Sequence, residues 1–410
     1  MEMISRLLGA GLCAFVIVEG TARAHPPEKL TLQSALELAE KQNLDLVAAR
    51  ARHAVAAAGV EIARQRPNPS VNFNALRDEP HEGFWFTQPF ELGGKRGHRI
   101  AVADQESKLT DVEITTLERQ IRRRTRAAYY ALGFARAESE RRGHILTLAQ
   151  RLQQIAQDRF QAGDVPQLEV IQANLEVTRA QADLKVAQQQ EKTSLSLLNA
   201  LLNEPPTTPW ELGETLYQLP PEIPLAELVQ LAYASNSELQ HLTQEQKVEE
   251  SRRGLLRAER IPDLDFEYGL DFNSPRDFRV GPRGQLSLTL PIFSRNQGQI
   301  AQSSANQRML EAEAAAAKRS VTAAIETAYF DLGAQRTQVE TYRQTLLPVA
   351  QQLEGMAEDS YRAGKADILV VLTAQRNVQD VERSYLDGLV TVQNSFAALE
   401  EAVGAPLEQR

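Results

Sequence analysis

The chain is nearly free of cysteine, poor in aromatic residues and without a long apolar run beyond its first two dozen positions. Its one cysteine in 410 residues is Cys13. Cys13 lies in the apolar stretch Leu7 to Val18, which follows Arg6 and precedes Ala22-Arg23-Ala24. That order has the form of a secretory signal over residues 1–24, with His25 as the expected first mature residue. A buried first helix is the competing reading of the same stretch. Leu12 is bulky where a lipoprotein cleavage box wants a small residue, so the mature protein is expected to carry no thiol, disulfide or lipid anchor. Thiolate metal sites and cysteine nucleophiles are then excluded.

Other scarcities narrow the function. Aromatics are 6% of residues, while Ala, Gln, Glu, Leu and Arg fill long windows, a composition of packed helices. A net charge of −9 speaks against nucleic acid as a partner. The six histidines are scattered, and no two are four residues apart. Gly93-Gly94-Lys95 lacks the spacing of a phosphate loop, and the chain has no nucleophile motif. Neither an enzyme nor a cofactor is expected. No segment after the signal has about 18 uninterrupted apolar residues, so if this chain enters a membrane it must do so as β-strands.

What is there is a repeat. Leu32, Leu36, Leu38, Ala39, Asn43 and Leu46 match Leu225, Val229, Leu231, Ala232, Asn236 and Leu239 at one constant offset, which Pro69 and Phe73 share with Pro262 and Phe266. The offset then lengthens, and Tyr129, Leu132 and Gly133 match Tyr329, Leu332 and Gly333. Phe160-Gln161-Ala162-Gly163 matches Tyr361-Arg362-Ala363-Gly364. The first repeat, 25–206, reads as helix 32–66, strands 70–77 and 84–90, a long helix 95–160 and a helix 166–202. A proline-rich connector covers 207–224. The second repeat, 225–410, reads as helix 225–260, strands 263–272 and 285–290, a long helix 298–360 and a helix 366–403. A helix over 95–160 would be about 100 Å long. Each repeat turns on a strand-to-helix junction, Gly83 to Gly97 and Gly284 to Gly298. Pro89, Gly93 and Gly94 are expected to bend the first and Pro291 the second.

The strands alternate. In residues 263–272, Leu264, Phe266, Tyr268, Leu270 and Phe272 share one face, and Asp263, Asp265, Glu267 and Asp271 the other. Apolar-out, polar-in alternation over about ten residues is the signature of a membrane β-barrel with a wet lumen. The alternative is a soluble sandwich or hairpin cap on a coiled coil. Four strands cannot close a barrel, and open edges in lipid leave backbone groups unpaired. The chain must therefore share a barrel with copies of itself. Three copies give twelve strands, although closure alone does not fix three.

Over Leu32 to Pro406 the chain resembles the TolC family of outer-membrane efflux proteins. The resemblance rests on the duplicated element order, the strand entries at Pro69 and Pro262, and the paired turns at Gly163 and Gly364. Gln88-Pro89-Phe90-Glu91-Leu92-Gly93-Gly94-Lys95-Arg96 resembles the heavy-metal, CzcC-like branch. The resemblance implies a fold that is mainly α with a small membrane β part. Four strands per protomer would contribute to a shared twelve-stranded trimeric β-barrel, above a long periplasmic α-helical barrel and an equatorial collar. It implies an exit duct of a tripartite efflux system that conducts substrate passively. Its partners would be its own copies, outer-membrane lipid, a periplasmic adaptor and an inner-membrane pump of the RND type.

Heavy-metal cations are the expected cargo. Drugs or a secreted polypeptide are the alternative for the same duct, and a soluble periplasmic scaffold or adaptor is the rival of another class. The resemblance places the two helical turns at the periplasmic tip. Phe160, Ala162, Gly163, Tyr361, Arg362, Ala363 and Gly364 are then expected to dock the adaptor, with Asp164 and Asp367 as aperture candidates. Val371, Ala374 and Gln375 follow Asp367 where a deeper carboxylate would stand. Asp263, Asp265, Glu267 and Asp271 would line the barrel lumen and favour cations. His81, with Asp78, Glu79 and Glu82, reads as a solvated polar loop, with an external cation site as the competing reading. Arg122, Arg123, Arg124 and Arg126 read as a solvated face or as partners of neighbouring carboxylates.

Overall fold

The structure is a computed structural model that describes residues 29–75, 77–78, 80–213, 217–274 and 278–407. The expected signal peptide and Glu79 lie outside these residues. After a two-residue strand β1 (Lys29–Leu30), an asparagine sets the first break. Asn43 separates α1 (Leu32–Gln42) from α2 (Leu44–Arg64) with extended backbone, ψ 124°. Its side-chain oxygen accepts from the N–H groups of Asp45 and Leu46, and its amide donates to the Leu201 carbonyl at 3.0 Å. Asn236 repeats the device between α5 (Leu225–Ser235) and α6 (Ser237–Ala258), accepting from Leu239 N–H and donating to the Ala402 carbonyl at 2.7 Å. The helices expected over 32–66 and 225–260 are therefore two each. The asparagine side chain replaces the helical ladder for one residue and caps the second helix of the pair.

The expected strand 70–77 is β2 (Ser70–Ala75), and 84–90 is β3 (Glu82–Phe90). Pro89 does not make the bend: it lies within β3, opposite Asp265. The chain turns instead at Gly93 and Gly94, both at positive φ (71° and 70°). At Gly93 a Cβ would also fall 2.9 Å from Ile261 Cβ, so both backbone and space call for glycine there. α3 (Lys95–Ala162) then runs without interruption for 68 residues. α4 (Gln167–Leu202) returns beside it, starting after Pro166.

The connector contributes β4 (Glu211–Leu212), paired in parallel with β1. It is fastened across the waist of the molecule. Trp210 donates to Asn199 at 2.6 Å, Gln393 donates to the Gln218 carbonyl, and Arg336 reaches the Pro220 carbonyl.

In the second repeat, β5 (Leu264–Ser274) and β6 (Phe278–Leu288) form a long hairpin. The expected strand 285–290 is thus shifted and extended towards the hairpin tip. Gly281, Pro282 and Gly284 hide its first half in the sequence. Pro282 sits within β6 opposite Leu270, near the hairpin tip. Pro291 comes after the strand, where Ile292 N–H closes a tight turn on Leu290 at 2.9 Å.

The helix expected over 298–360 is also interrupted. α7 (Gln297–Thr341) gives way to a π turn at Tyr342–Leu346, and α8 (Leu347–Arg362) continues. Pro348 has no N–H to give and crowds the carbonyl of Gln344; the widened turn relieves both. α9 (Ile368–Val403) completes the fold.

These elements stack in three tiers. The sheet has the order β2-β3-β5-β6 with antiparallel pairing throughout. Below it, α2, α3, α6 and α7 pack side by side in that order. The lower tier is α4, the second half of α3, α9 and α8. The first repeat supplies one half of each tier and the second repeat the other. The main core, with Leu36, Tyr129, Leu132, Leu198, Ile325 and Phe396, lies at the waist, and a second core with Leu152, Ala156, Tyr361 and Val371 lies near the lower end. Arg126 is buried in the first, over the Phe396 ring and 3.0 Å from Glu400. Arg122 and Arg123 reach Glu40 and Glu401, so these arginines serve as partners for neighbouring carboxylates.

Candidate pore lining and helical tip

Strand register separates the two faces of the sheet. Val71, Phe73, Phe84, Phe86, Phe266, Tyr268, Leu286 and Leu288 share one face and are all exposed. An exposed apolar sheet face of this extent is suited to lipid. The opposite face carries Asn72, Asn74, Trp85, Thr87, Gln285 and Ser287 together with three of the predicted acids, Asp265, Glu267 and Asp271, while Asp263 stands just before β5.

Those acids are not equivalent. Asp263 is tied to Lys95 at 2.7 Å and accepts from Leu92 N–H, which closes the strand-to-helix junction. Asp271 is buried and paired with Arg283 at 3.4 Å. Among the described residues, Asp265 and Glu267 have no ion-pair partner. None of the described residues forms a cluster of His, Cys, Asp or Glu that could hold a metal.

At the lower end two helical hairpins meet. Gly163 ends α3 at φ 83°, and Asp164 N–H closes the turn on the Arg159 carbonyl. Gly364 plays the same part after α8 at φ 69°, with Lys365 N–H on the Ser360 carbonyl. Phe160, Ala162, Gly163, Arg362, Ala363 and Gly364 are exposed there, as are Asp164 and Asp367. Asp367 precedes α9 as its N-cap but makes no side-chain cap bond. Val371, Ala374 and Gln375 are buried in the tip core.

Tyr361 departs from expectation. Its side chain is fully buried and cannot meet an adaptor. It stacks under the Arg159 guanidinium, 4.7 Å from the ring centroid, and its hydroxyl donates to Glu169 at 3.0 Å. Burial and the Glu169 bond push its pKa up to about 12. Tyr361 thus fastens the second hairpin to the first, whereas its counterpart Phe160 is exposed.

No spacing or motif in the sequence marks a further cleft above the tip. It has a volume of about 470 Å³ and is lined by Glu140, Arg141, His144, Tyr217, Glu354 and Glu382 among others. Burial raises the pKa of Glu354 and of Glu382, and the Glu382 charge raises Glu354 further. Glu138 behaves oppositely: its bonds to Arg141 and Arg142 outweigh burial and lower it.

An open sheet with one exposed apolar face, set on long helices, has the build of a membrane-duct subunit. The family model for outer membrane efflux proteins matches residues 35–204 and 228–405, and the chain belongs to that family. It is 27% identical over 385 residues to the cobalt-zinc-cadmium resistance protein CzcC of Cupriavidus metallidurans, covering 92% of this chain and 90% of that one. It is 28% identical over 209 residues to the nickel-cobalt-cadmium resistance protein NccC of Alcaligenes xylosoxydans xylosoxydans, covering 47% and 45% of the two chains. Among solved structures, CusC superposes with a TM-score of 0.75 at 15% identity over 92% of each chain. A membrane protein from Pseudomonas aeruginosa gives 0.78 at 17% identity, covering 91% of this chain and 92% of that one.

Proposed function

We propose that the chain is the outer-membrane exit duct of a tripartite efflux system and that it passively conducts heavy-metal cations. The observation that carries this reading is that all three tiers are left open at both sides. The free edges are β2 and β6 in the sheet, α2 and α7 below it, and α4 and α8 at the lower end. The helical edges are apolar: Val55 and Ile62 on α2, Ile171 and Leu175 on α4, and Val349 and Met356 on α8 are all exposed. Such a protomer is completed by its own copies, side to side in a ring. Three copies supply twelve strands, enough for a barrel with an aqueous channel. The similarity to the two metal-resistance proteins supports metal as the cargo.

Within the duct, the exposed turns at Phe160, Ala162, Gly163, Arg362, Ala363 and Gly364 would receive a periplasmic adaptor, which links the duct to an inner-membrane pump. Asp164 and Asp367 would face the aperture. Deleting the gene should sensitise cells to cobalt, zinc or cadmium, and the protein should be recovered as heat-modifiable trimers in the outer-membrane fraction. Unchanged metal tolerance with trimers present would remove metal as the cargo. Recovery in the soluble periplasm would remove the duct.

A further inference from the structure

The inner face of the sheet changes sign along its length. From the helical end towards the hairpin tips, β5 places Asp265, Glu267, Gly269 and Asp271 on it, and Asp263 stands just before the strand. Lys95 neutralises Asp263. Asp265 and Glu267 stand opposite Ser287 and Gln285, neutral side chains that leave both charges uncompensated.

Above them the lining is built differently. Trp85 pairs with Gly269, and its ring lies across that glycine: a Cβ there would fall 2.8 Å from the indole Cε3. The Arg283 guanidinium lies over the same ring, 5.1 Å from its centroid, and reaches Asp271 on one side. Its side chain remains 56% exposed. Arg279 falls on this face by register, nearer the hairpin tip, and is exposed with no carboxylate partner among the described residues. Arg283 and Asp271 offset each other, so each chain contributes two uncompensated carboxylates, Asp265 and Glu267, to an acidic band near the helices and, among the described residues, one uncompensated arginine, Arg279, to a basic band near the tips.

We propose that the barrel lumen is bipolar and rectifies ion flow, passing more current when cations are driven from the helical end towards the hairpin tips. The proposal rests on the reading that the sheet closes a barrel with its copies. Fixed charges on a pore wall gather mobile ions of opposite sign. In the favoured direction cations enter through the acidic band and anions through the basic one. Both accumulate where the bands meet, and conductance rises. The reverse bias drains that zone. Trp85 acts as a positioning residue that holds Arg283 at the junction. Wall charge reaches about 10 Å into ~0.1 M salt but only about 3 Å at ~1 M, so the asymmetry must fade as salt is raised.

The test uses full-length trimers inserted from one side into planar bilayers. At ~0.1 M salt the favoured polarity should carry about twice the current of the reverse, and at ~1 M the two should converge. D265N/E267Q and R279Q/R283Q should each abolish the asymmetry, the first moving selectivity towards anions and the second towards cations. R283K keeps the charge and should keep the asymmetry. If R279Q/R283Q does not assemble, D265N/E267Q against wild type decides. A symmetric response from conducting wild-type trimers at ~0.1 M overturns the bipolar lumen and leaves the duct standing. Inserted trimers that conduct nothing overturn the duct and this proposal together.

Discussion

Single residues decide how the tip holds together. Tyr361 is buried between hairpins that are distant in sequence, and it bonds a carboxylate on α4. Tyr361→Phe keeps the ring and loses the bond, which should cost about 1–3 kcal/mol. Tyr361→Ala empties the site and should cost about 3–5 kcal/mol. Thermal unfolding of the purified protein, followed by circular dichroism, ranks the two; equal midpoints for Tyr361→Ala and wild type would contradict the burial. The sequence makes Phe160 and Tyr361 equivalent, and only contacts across some two hundred residues set them apart.

The cleft above the tip gives a prediction with a definite sign. The Glu354 pKa is raised in the folded state, chiefly by burial and then by Glu382. The folded protein therefore binds that proton more tightly than the unfolded chain does, and stability falls as pH rises from the unfolded value through the raised one. Glu354→Gln should raise the melting midpoint at pH ~7 and change it little at pH ~4. A gain that is the same at both values would point to packing instead.

Elements show which parts of the fold were legible. The duplication and the order of helices and strands could be read from spacing, because matched landmarks keep their register over the whole chain. The breaks inside the elements could not. Leu36, Ala39 and Leu46 are all buried, so apolar periodicity runs straight through the Asn43 interruption. Pro348 was visible, yet the sequence does not say whether a helix ends at a proline or absorbs it in a wider turn. The first half of β6 is masked by Gly281, Pro282 and Gly284, residues that strands seldom carry.

Element edges also carry the assembly prediction. Ile171 and Leu175 stand on the free side of α4 at 56% and 57% exposure, more than a lone soluble helix would leave uncovered along one stripe. Burying such a side chain contributes about 1.5–3 kcal/mol. Ile171→Asp/Leu175→Asp should therefore convert trimers to monomers in detergent, as read by light scattering, without lowering helix content. Intact trimers from that variant would place the copy-to-copy contact elsewhere.

At the scale of the whole molecule, the acidic sheet face was legible in outline and not in detail. Alternation alone put four carboxylates on one side. Which of them remain as free charge depends on Lys95 and Arg283, whose positions are set by a bend and by a strand longer than its sequence suggested.

The paired asparagines have a mechanical consequence. A wall of long parallel helices has one soft motion, the slip of a column past its neighbour by a turn, about 5.4 Å. Asn43 fixes the foot of α2 to the last turn of α4, and Asn236 fixes the foot of α6 to the last turn of α9. They work as alignment pins, one per repeat and both at the waist. A threefold ring would hold six of them at one height, so its upper and lower halves cannot creep out of step.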